Sequence, residues 1–202
     1  MSIYEAFEPK LNYVMDQLQT ELRSYDRMRF EETGDHIYEH ISARIKTDES
    51  MREKCRRKNL PENAHSALHE LQDAIGIRII CAFRDDIYGI LEHIRNLPGV
   101  TIVEEIDYIR HAKPNGYRSY HLILSVETAF EDVEGKTPGH YFVEVQLRTI
   151  AMDSWASLEH KMKYKKDVKN QALIEAELKR CADELAACDV SLETIRNLIR
   201  SS

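Results

Sequence analysis

The sequence predicts an α+β fold, with a mixed sheet of about five strands flanked by helices and a helical extension at each end of the chain. Two patterns support this prediction. Apolar residues recur every three or four positions near both ends, as in amphipathic helices, whereas the region between them contains short runs rich in β-branched residues separated by turn residues. A length of 202 residues suits one domain and is short for two. We therefore expect a single domain over 1–202, with an N-terminal helix in 1–30, a core over 35–165 and a C-terminal helix in 171–200.

The first elements are a helix and a strand. Apolar residues at spacings of three and four over 11–25 favour the helix. Residues 36–46 alternate between apolar and polar side chains, which is typical of a half-buried strand and puts Arg44 and Lys46 on the same face. The later predicted elements are helices over 49–58, 64–71 and 86–97 and strands over 76–83, 101–108, 120–126 and 140–149.

The strand over 76–83 is almost continuously apolar and rich in β-branched residues. This pattern predicts a central strand that is covered on both faces. Arg78 is the one charged residue between positions 76 and 83.

The C-terminal stretch has the clearest periodicity of the sequence. Its apolar residues alternate between spacings of four and three, which is the pattern of a heptad seam on one long helix. The seam consists of Ile174, Leu178, Cys181, Leu185, Cys188, Leu192, Ile195 and Ile199. Such a seam packs either on the first helix of the same chain or on another subunit, and in both cases it is a scaffold.

The overall charge is acidic, but one segment reverses it. A net charge of −7 and a pI near 5.7 argue against a protein that wraps duplex nucleic acid, because such proteins carry an excess of Lys and Arg. Between residues 44 and 58, however, basic residues outnumber acidic ones. A compact basic site in an acidic protein suits a small polyphosphate better than a long polymer.

We expect neither a targeting segment nor a disulfide. No run approaches the roughly 18 apolar residues of a membrane span, and residues 1–10 lack the basic-then-apolar order of a secretion signal. These features predict a cytoplasmic protein. Its cysteines contain no CxxC pair, so neither a disulfide nor a zinc site is predicted from them, and those within apolar patterns are expected to act as small apolar residues. The cysteines are Cys55, Cys81, Cys181 and Cys188.

Glu144 and Asp73 are the candidate metal ligands. One face of the strand over 140–149 carries Glu144, Gln146 and Arg148, and charges on an inner strand need a partner. One interpretation is an ion-pair network that contains Glu144 and Arg148. The other interpretation uses Asp73, which precedes the strand over 76–83, because two carboxylates from neighbouring strands form a hard-oxygen site for Mg²⁺ that substrate phosphates complete.

Two groups of side chains are candidates for binding a nucleotide. Arg44 and Lys46 share a strand face, and Ser50, Lys54 and Arg57 follow at helical spacings on the next helix. Guanidinium and ammonium groups in such an arrangement bind polyphosphate, and the alternative is a solvated basic helix. No GxxxxGK[ST] or GxGxxG motif is present, so neither a P-loop nor a dinucleotide fingerprint supports the nucleotide interpretation.

The second group lies in the segment KPNGYRSYH, residues 113–121, where a Pro-Asn-Gly turn leaves Tyr117 at its exit. An exposed ring beside Lys113, Arg118 and His121 can stack on a base while the cations bind its phosphates. The alternative is a hairpin turn whose tyrosine caps the core.

Four motifs in this order resemble those of a known family. They are ARIKTDESMREK at 43–54, LQDAIGIRI at 71–79, KPNGYRSYH at 113–121 and EVQLRTIAMDSWASLEH at 144–160. Each motif is weak alone, and their order and spacing make the combination specific. By these motifs the chain is similar to the small alarmone synthetases, the single-domain branch of the RelA/SpoT (p)ppGpp synthetases.

The resemblance implies a nucleotidyltransferase fold of the polymerase β type and a GTP/GDP diphosphokinase reaction. That reaction moves the β,γ-pyrophosphate of ATP to the 3′-hydroxyl of GDP or GTP, with GMP as a further candidate, and releases AMP in stringent-response signalling. By matching position, Asp73 and Glu144 would carry Mg²⁺, and Glu144 would also accept or orient the hydroxyl proton. The family also implies a homotetramer formed by the terminal helices.

The same resemblance assigns side chains to the two substrates. For ATP, Arg44 and Arg78 would bracket the adenine, and the phosphates would be held by Lys46, Ser50, Lys54 and Arg57. For the guanosine nucleotide, the implied residues are Lys113, Tyr117, Arg118, His121, Gln146, Arg148 and Asp153. Tyr117 would stack on guanine and Lys113 and His121 would meet the phosphates. Asp153 would accept from N1 and the exocyclic amine, which favours guanine over adenine.

The chain departs from the family pattern in two ways. Ala112 stands where many small members have a basic residue, which would alter the preference among GMP, GDP and GTP. No HD dipeptide with upstream histidines of the hydrolase type is present, so we expect synthesis of the alarmone without its degradation.

Two other functions compete with this interpretation. The first is a toxin-type relative that pyrophosphorylates the 3′ end of tRNA, although the acidic charge makes nucleic acid an unfavourable partner. The second is a catalytically silent nucleotide-binding regulator, against which the presence of both Asp73 and Glu144 argues.

Overall fold

The fold is built on one mixed sheet within residues 2–163 and 170–201, the part of the chain that the computed structural model describes. Its five strands lie in the order β1-β2-β5-β4-β3. They are β1 (His40–Ile45), β2 (Ile75–Cys81), β3 (Val100–Asp107), β4 (Tyr120–Thr128) and β5 (Gly139–Thr149). Only β2 and β5 pair in parallel, and the other neighbours are antiparallel. The α+β class and the mixed five-stranded sheet are therefore confirmed.

Helices precede, follow and connect the strands. They are α1 (Glu8–Thr33), α2 (Asp48–Arg57), α3 (Arg84–Arg95), α4 (Ile150–Lys163) and α5 (Gln171–Arg200). A short π-helical turn, Ser66–Glu70, occupies most of the predicted helix over 64–71. Helix α4 is not predicted by the sequence patterns, and residue 165, the predicted end of the core, lies outside the described residues. None of the described helices is both long and apolar enough to cross a membrane.

Helices α1 and α3 bury one face of the sheet. Four apolar side chains of α1 are fully covered, and so are four of α3 and alternate residues of β2. These buried side chains include Leu11, Val14, Leu18, Leu22, Ile75, Ile77, Ile79, Ile87, Ile90 and Ile94. The opposite face of the sheet is more open, because Gly76 and Arg78 of β2 are partly exposed there. The prediction that this strand is central is confirmed, since β2 lies between β1 and β5, but the prediction that both its faces are covered is wrong.

Polar side chains, rather than the heptad seam alone, attach α5 to the rest of the chain. Thr149 Oγ1 donates a 2.6 Å hydrogen bond to Asp189. Arg84 NH2 donates to Glu193 at 2.9 Å, and Arg196 NH1 donates to Asp86 at 2.7 Å. These contacts place α5 against the end of β5 and against α3, and apolar packing of Leu178 and Ala182 on Trp155 places it against α4.

The second half of the predicted seam is exposed on α5. Leu192 and Ile195 are each 53% exposed and Ile199 is 71% exposed, while Cys181 and Cys188 are exposed as well. The expectation that the seam packs on the first helix of the same chain is wrong, because its first half, at Ile174, Leu178 and Leu185, packs beside Trp155 of α4. The same geometry corrects the view of Cys181 and Cys188 as small core residues.

Candidate active site

The open face of the sheet carries polar side chains in two adjacent rows. In the first row, Arg44 of β1 is paired with Gly76 of β2, which is paired with Glu144 of β5. In the second row the register aligns Ser42, Arg78, Gln146 and His121 across four strands. A cavity of about 190 Å³ lies over these rows. The sheet pairing thus brings together five of the predicted site residues, which come from four strands that are far apart along the chain.

Asp73 lies two residues before β2 begins. Its side chain is only 9% exposed. Its Oδ2 accepts hydrogen bonds from Lys46, which follows β1, and from Lys54 of α2, the latter at 2.5 Å. The other carboxylate oxygen, Oδ1, is buried and has no hydrogen-bond partner. The sequence prediction that Asp73, Lys46 and Lys54 belong to one site is consistent with this geometry.

Glu144 and Asp73 have the chemistry that a magnesium site requires. The half-buried Glu144 carboxylate forms no hydrogen bond or ion pair with other groups in the described ranges 2–163 and 170–201. Asp73 contributes an unsatisfied buried oxygen from the neighbouring strand end. Hard carboxylate oxygens with free coordination capacity fit Mg²⁺, so the residues present are compatible with this ion. The alternative ion pair between Glu144 and Arg148 is not formed; Arg148 pairs with Asp153 instead.

A second, larger cavity of about 490 Å³ adjoins the first along α2. Arg44 lines both cavities. The side chains that line this second cavity are mainly basic or hydroxylic, and they include Arg44, Lys46, Thr47, Ser50, Glu53, Lys54, Arg57 and His160. Thr47 caps the start of α2 by accepting from the Ser50 backbone NH at 3.3 Å. The amino end of a helix and the cations around it together favour an anionic ligand such as polyphosphate.

Tyr117 and Arg148 are the centre of a hydrogen-bonded cluster at the other end of the sheet rows. The side chain of Arg148 is only 7% exposed, and it donates to the Tyr117 hydroxyl at 2.8 Å, to Gln146 Oε1 at 3.2 Å and to Asp153 at 2.9 Å. Its guanidinium carbon also lies 5.3 Å from the centre of the Tyr117 ring. The Tyr117 hydroxyl shares a 2.8 Å hydrogen bond with His121 Nε2. This cluster fixes the orientation of a partly exposed tyrosine ring.

His121 is a neutral member of the cluster. Burial, followed by the positive charges of Arg148 and Lys113, lowers the pKa of His121 to about 4. Since Arg148 donates to the Tyr117 hydroxyl oxygen, the hydroxyl hydrogen is available for donation to Nε2 of the neutral ring. The expectation that His121 acts as a cation towards phosphates therefore needs correction: near neutral pH it offers hydrogen bonds but no charge.

Arg118 is directed away from the sheet rows and onto α5. It donates to the backbone carbonyl of Ala182 at 3.3 Å and to Asp183 at 3.1 Å. Gly116 is packed so closely there that a Cβ atom would lie 2.6 Å from the Ala182 Cβ, and its φ of +92° also favours glycine. The loop of residues 113–118 is thus supported by α5, and Arg118 acts in that support rather than in the nucleotide site that the sequence suggested.

Some residues at the site were not selected from the sequence. Tyr108, which directly follows β3, lies with its ring centroid 4.4 Å from Lys113 Nζ and edge-on to His121 at 5.3 Å. His160 and Glu53 line the α2 cavity. His160 ends the fourth sequence motif, which was a usable signal, whereas Tyr108 belongs to no motif and only the strand pairing brings it near the loop.

Known proteins share both the sequence and the fold of this chain. A family model described as "Region found in RelA / SpoT proteins" matches residues 43–169. GTP pyrophosphokinase YjbM of Bacillus subtilis (strain 168) is 33% identical over 203 residues, which cover 98% of this chain and 91% of that protein. GTP pyrophosphokinase YwaC of the same organism is 40% identical over 153 residues, which cover 74% of this chain and 70% of that protein.

Solved structures agree with these matches. The small alarmone synthetase 1 from Bacillus subtilis bound to its product pppGpp superposes with a TM-score of 0.79 at 32% identity, over 96% of this chain and 95% of that one. The small alarmone synthetase 2 from the same organism gives a TM-score of 0.79 at 34% identity, over 96% of this chain and 99% of that one.

Proposed function

Because this chain belongs to the RelA/SpoT family of small alarmone synthetases, we propose that it transfers the β,γ-pyrophosphate of ATP to the 3′-hydroxyl of GDP or GTP and releases AMP. The observation that carries the proposal is the arrangement of Glu144 on the open sheet face next to a basic cavity, which is lined by the Asp73 partners Lys46 and Lys54, and to an aromatic loop. Pyrophosphate transfer needs two nucleotides held in line and their charge neutralised. We also propose that the enzyme acts in the cytoplasm, where both nucleotide substrates are available.

The donor nucleotide is proposed to lie across the two cavities. Arg44 lines both of them, and Arg78 lines the smaller one with its side chain partly exposed, so the two guanidinium groups are available to bracket adenine. The phosphates would then meet Lys46, Ser50, Lys54 and Arg57 in the larger cavity. Lys46 and Lys54 share the single negative charge of Asp73, so one positive charge is left for the ATP phosphates, and closer contact requires a rearrangement of these ion pairs or a cation shared with the carboxylate.

Asp73 and Glu144 are proposed to hold Mg²⁺, whose charge would offset the charge of the ATP phosphates. Glu144 lines the smaller donor cavity, in the row next to the one that contains His121, and its carboxylate is free of internal hydrogen bonds among the described residues. A free carboxylate in this position can orient the 3′-hydroxyl and accept its proton. The presence of this carboxylate pair argues against a silent regulator.

The acceptor nucleotide is proposed to bind at Tyr117. The ring is held by Arg148 on one side, and Lys113 Nζ lies 4.9 Å from its centre. Guanine would stack on the ring, Lys113 would meet the acceptor phosphates, and His121 would contribute neutral hydrogen bonds. Asp153 accepts from Arg148 through Oδ1, and its Oδ1 also lies 3.8 Å from Arg78. The other carboxylate oxygen of Asp153, Oδ2, is proposed to recognise guanine, and Gln146 and Arg148 are proposed to support this contact.

A substrate assay tests the proposed reaction directly. Purified protein is incubated with labelled ATP and, in separate reactions, GMP, GDP, GTP or tRNA, and the products are separated by thin-layer chromatography. We expect label to move from the β,γ-phosphates of ATP to GDP or GTP, with AMP formed in equal amount. Transfer to tRNA alone would replace the proposed acceptor, and no transfer to any acceptor would reject the reaction.

Replacing Tyr117 separates acceptor binding from the chemistry. If guanine stacks on the ring, Tyr117→Ala should lose roughly 1 to 3 kcal/mol of acceptor binding, a rise in acceptor KM of about tenfold to a hundredfold, while the KM for ATP stays near the parent value. Tyr117→Phe keeps the ring but removes the hydroxyl that Arg148 and His121 share, so a smaller rise of about twofold to tenfold is expected.

The control for this pair is Tyr13→Ala, because Tyr13 is an exposed tyrosine on α1, away from the sheet rows. It should change neither KM value. The melting temperature of each variant is measured alongside the kinetics. Equal losses for ATP and the acceptor, together with a lower melting temperature, would show that Tyr117 is only a structural cap.

The exposed seam of α5 is proposed to form the contact between subunits of a homotetramer. Leu192, Ile195 and Ile199 are apolar and more than half exposed, which is unfavourable for an isolated chain in water. Their heptad spacing is that of helices which pack against each other. The intrachain contacts of α5 are made by its polar residues and by the first half of the seam, at Ile174, Leu178 and Leu185, so the exposed second half remains available to a second copy.

Charged substitutions in the seam should separate assembly from folding. Leu192→Glu combined with Ile195→Glu places charges in the proposed contact, so the assembly should dissociate to smaller species, as measured by light scattering coupled to size-exclusion chromatography. Lys179→Glu, on the same helix but outside the seam, is the control and should leave the molecular mass unchanged. An unchanged mass for the double variant would reject the seam as the contact.

A further inference from the structure

His65, His69 and Glu134 converge outside the sheet rows of the proposed active site. His65 and His69 are four residues apart along the π-helical turn, and their ring centroids are 5.0 Å apart. Glu134 belongs to the connection between β4 and β5, and its Oε2 lies 3.8 Å from His69 Nδ1. Two imidazoles from one turn thus meet a carboxylate that is far away in the sequence.

The separations among these groups suit a single bound ion. One nitrogen or oxygen atom from each of the three side chains lies within 4.8 Å of the other two. Zinc-to-ligand bonds are about 2.0 to 2.2 Å long, so two ligands of one tetrahedral ion are about 3.3 to 3.6 Å apart. All three side chains are partly exposed, and a small rotation of each would close the remaining distance.

We propose that His65, His69 and Glu134 bind a divalent cation of the zinc class, with water in the remaining coordination position. The donor set determines the class of ion, because imidazole nitrogen suits Zn²⁺ and its neighbours whereas Mg²⁺ prefers oxygen ligands. A cavity of about 430 Å³ that His69 and Glu134 help to line gives room for the water. The site is therefore distinct, in residues and in chemistry, from the Asp73 and Glu144 pair.

One contact must change when the ion binds. Lys136 Nζ donates to Glu134 Oε2 at 2.6 Å, and a cation at this carboxylate displaces it. The ion pair between Lys136 and Glu134 is exposed, so its loss costs little. The backbone around Glu134 is held independently, since Asp132 Oδ1 accepts from the Glu134 NH at 2.9 Å and from the Lys136 NH at 3.1 Å. The ligand loop is therefore ordered before any ion arrives.

A bound ion would connect two segments that the sequence separates widely. The π-helical turn, Ser66–Glu70, leads after two residues into Asp73, while Glu134 precedes β5, the strand that carries Glu144. Binding to the folded chain alone raises its free energy of unfolding in proportion to the logarithm of the ion concentration. We therefore expect zinc to raise the melting temperature and to slow hydrogen exchange in residues 64–73 and 131–138.

Zinc titration of the full chain tests this site. The parent for the titration is Cys181→Ser/Cys188→Ser, because the two exposed thiols are themselves possible zinc ligands. Competition with a chromogenic chelator should give one ion per chain. His65→Ala and His69→Ala should each weaken binding by about tenfold or more, and Glu134→Gln should weaken it by a smaller factor.

Two controls separate this site from others. His40→Ala removes an exposed histidine elsewhere, and Asp73→Asn removes a ligand of the proposed magnesium site; both should bind zinc like the parent. Metal-free melting temperatures of the His65, His69, Glu134 and His40 variants should match the parent, since these side chains are exposed or half-buried. A parent that binds no zinc, or a His65→Ala/His69→Ala double variant that binds zinc as tightly as the parent, would overturn the proposal. Neither outcome would affect the proposed pyrophosphate transfer.

Discussion

Glu144→Gln is expected to reduce kcat by about 10²- to 10⁴-fold while the fold is retained. The substitution preserves the size of the side chain and removes its negative charge. That charge is needed twice, by the metal and by the proton of the 3′-hydroxyl. Because Glu144 makes no hydrogen bond to the described part of the chain, its replacement should disturb no internal contact. The measurement is the single-turnover rate of pyrophosphate transfer at saturating ATP and acceptor.

Glu127→Gln is the matched control, since Glu127 is an exposed glutamate on the neighbouring strand β4. It should retain the parent rate. Both variants should show the parent melting temperature, so that a rate loss in Glu144→Gln cannot come from unfolding. Retention of a tenth or more of the parent rate in Glu144→Gln would contradict the roles given to this carboxylate.

Asp73→Asn should lower kcat by at least about a hundredfold and raise the Mg²⁺ concentration required for half-maximal rate. A second effect follows from the ion pairs of Asp73. Lys46 and Lys54 share this carboxylate, so the substitution leaves two ammonium groups without a counter-charge. Their attraction for phosphate then increases, and metal-free ATP should bind more tightly than it binds to the parent.

The measurements for Asp73→Asn are therefore the rate as a function of Mg²⁺ and the Kd for ATP in a chelator. Asp16→Asn, on the exposed side of α1, is the control and should alter neither. A variant whose rate is insensitive to added Mg²⁺ would exclude Asp73 as a ligand. Weaker binding of metal-free ATP would show that the lysines depend on Asp73 for their position more than for their charge.

Local patterns were sufficient for most of the sheet and insufficient for the helices after it. Strands such as 140–149 have a strong alternation because one of their faces is buried, and burial of this kind is visible in the sequence. Helix α4 follows β5 without an intervening turn, so the one local mark of its start is Thr149, whose Oγ1 accepts from the Met152 NH at 3.2 Å. The buried stripe of α5 includes Asp189, Glu193 and Arg196, whose partners lie more than thirty residues away along the chain. A seam defined by apolar residues alone could not reveal these contacts.

The candidate site likewise combines features that the sequence predicts with features that only the structure reveals. The motifs led to Asp73, Glu144 and Tyr117 because each motif concentrates unusual polar residues in a short segment. Whether two neighbours such as Tyr117 and Arg118 face the same side depends on the loop conformation, and the loop turns Arg118 towards α5. The charge of His121 depends on burial and on Arg148, which is 27 residues distant, so its neutrality could only be read from the three-dimensional arrangement.

The close packing of Gly116 on Ala182 has a thermodynamic consequence. One side of α5 supports the loop that carries Tyr117, and its seam is the proposed contact with another subunit. Two equilibria, acceptor binding and subunit association, therefore share a single rigid element. If association favours one position of α5, it changes the affinity of the loop for its nucleotide, and by linkage the nucleotide changes association by the same factor. Communication between subunits would then need no separate regulatory domain, because the helix proposed to join the subunits also packs against the loop that carries Tyr117.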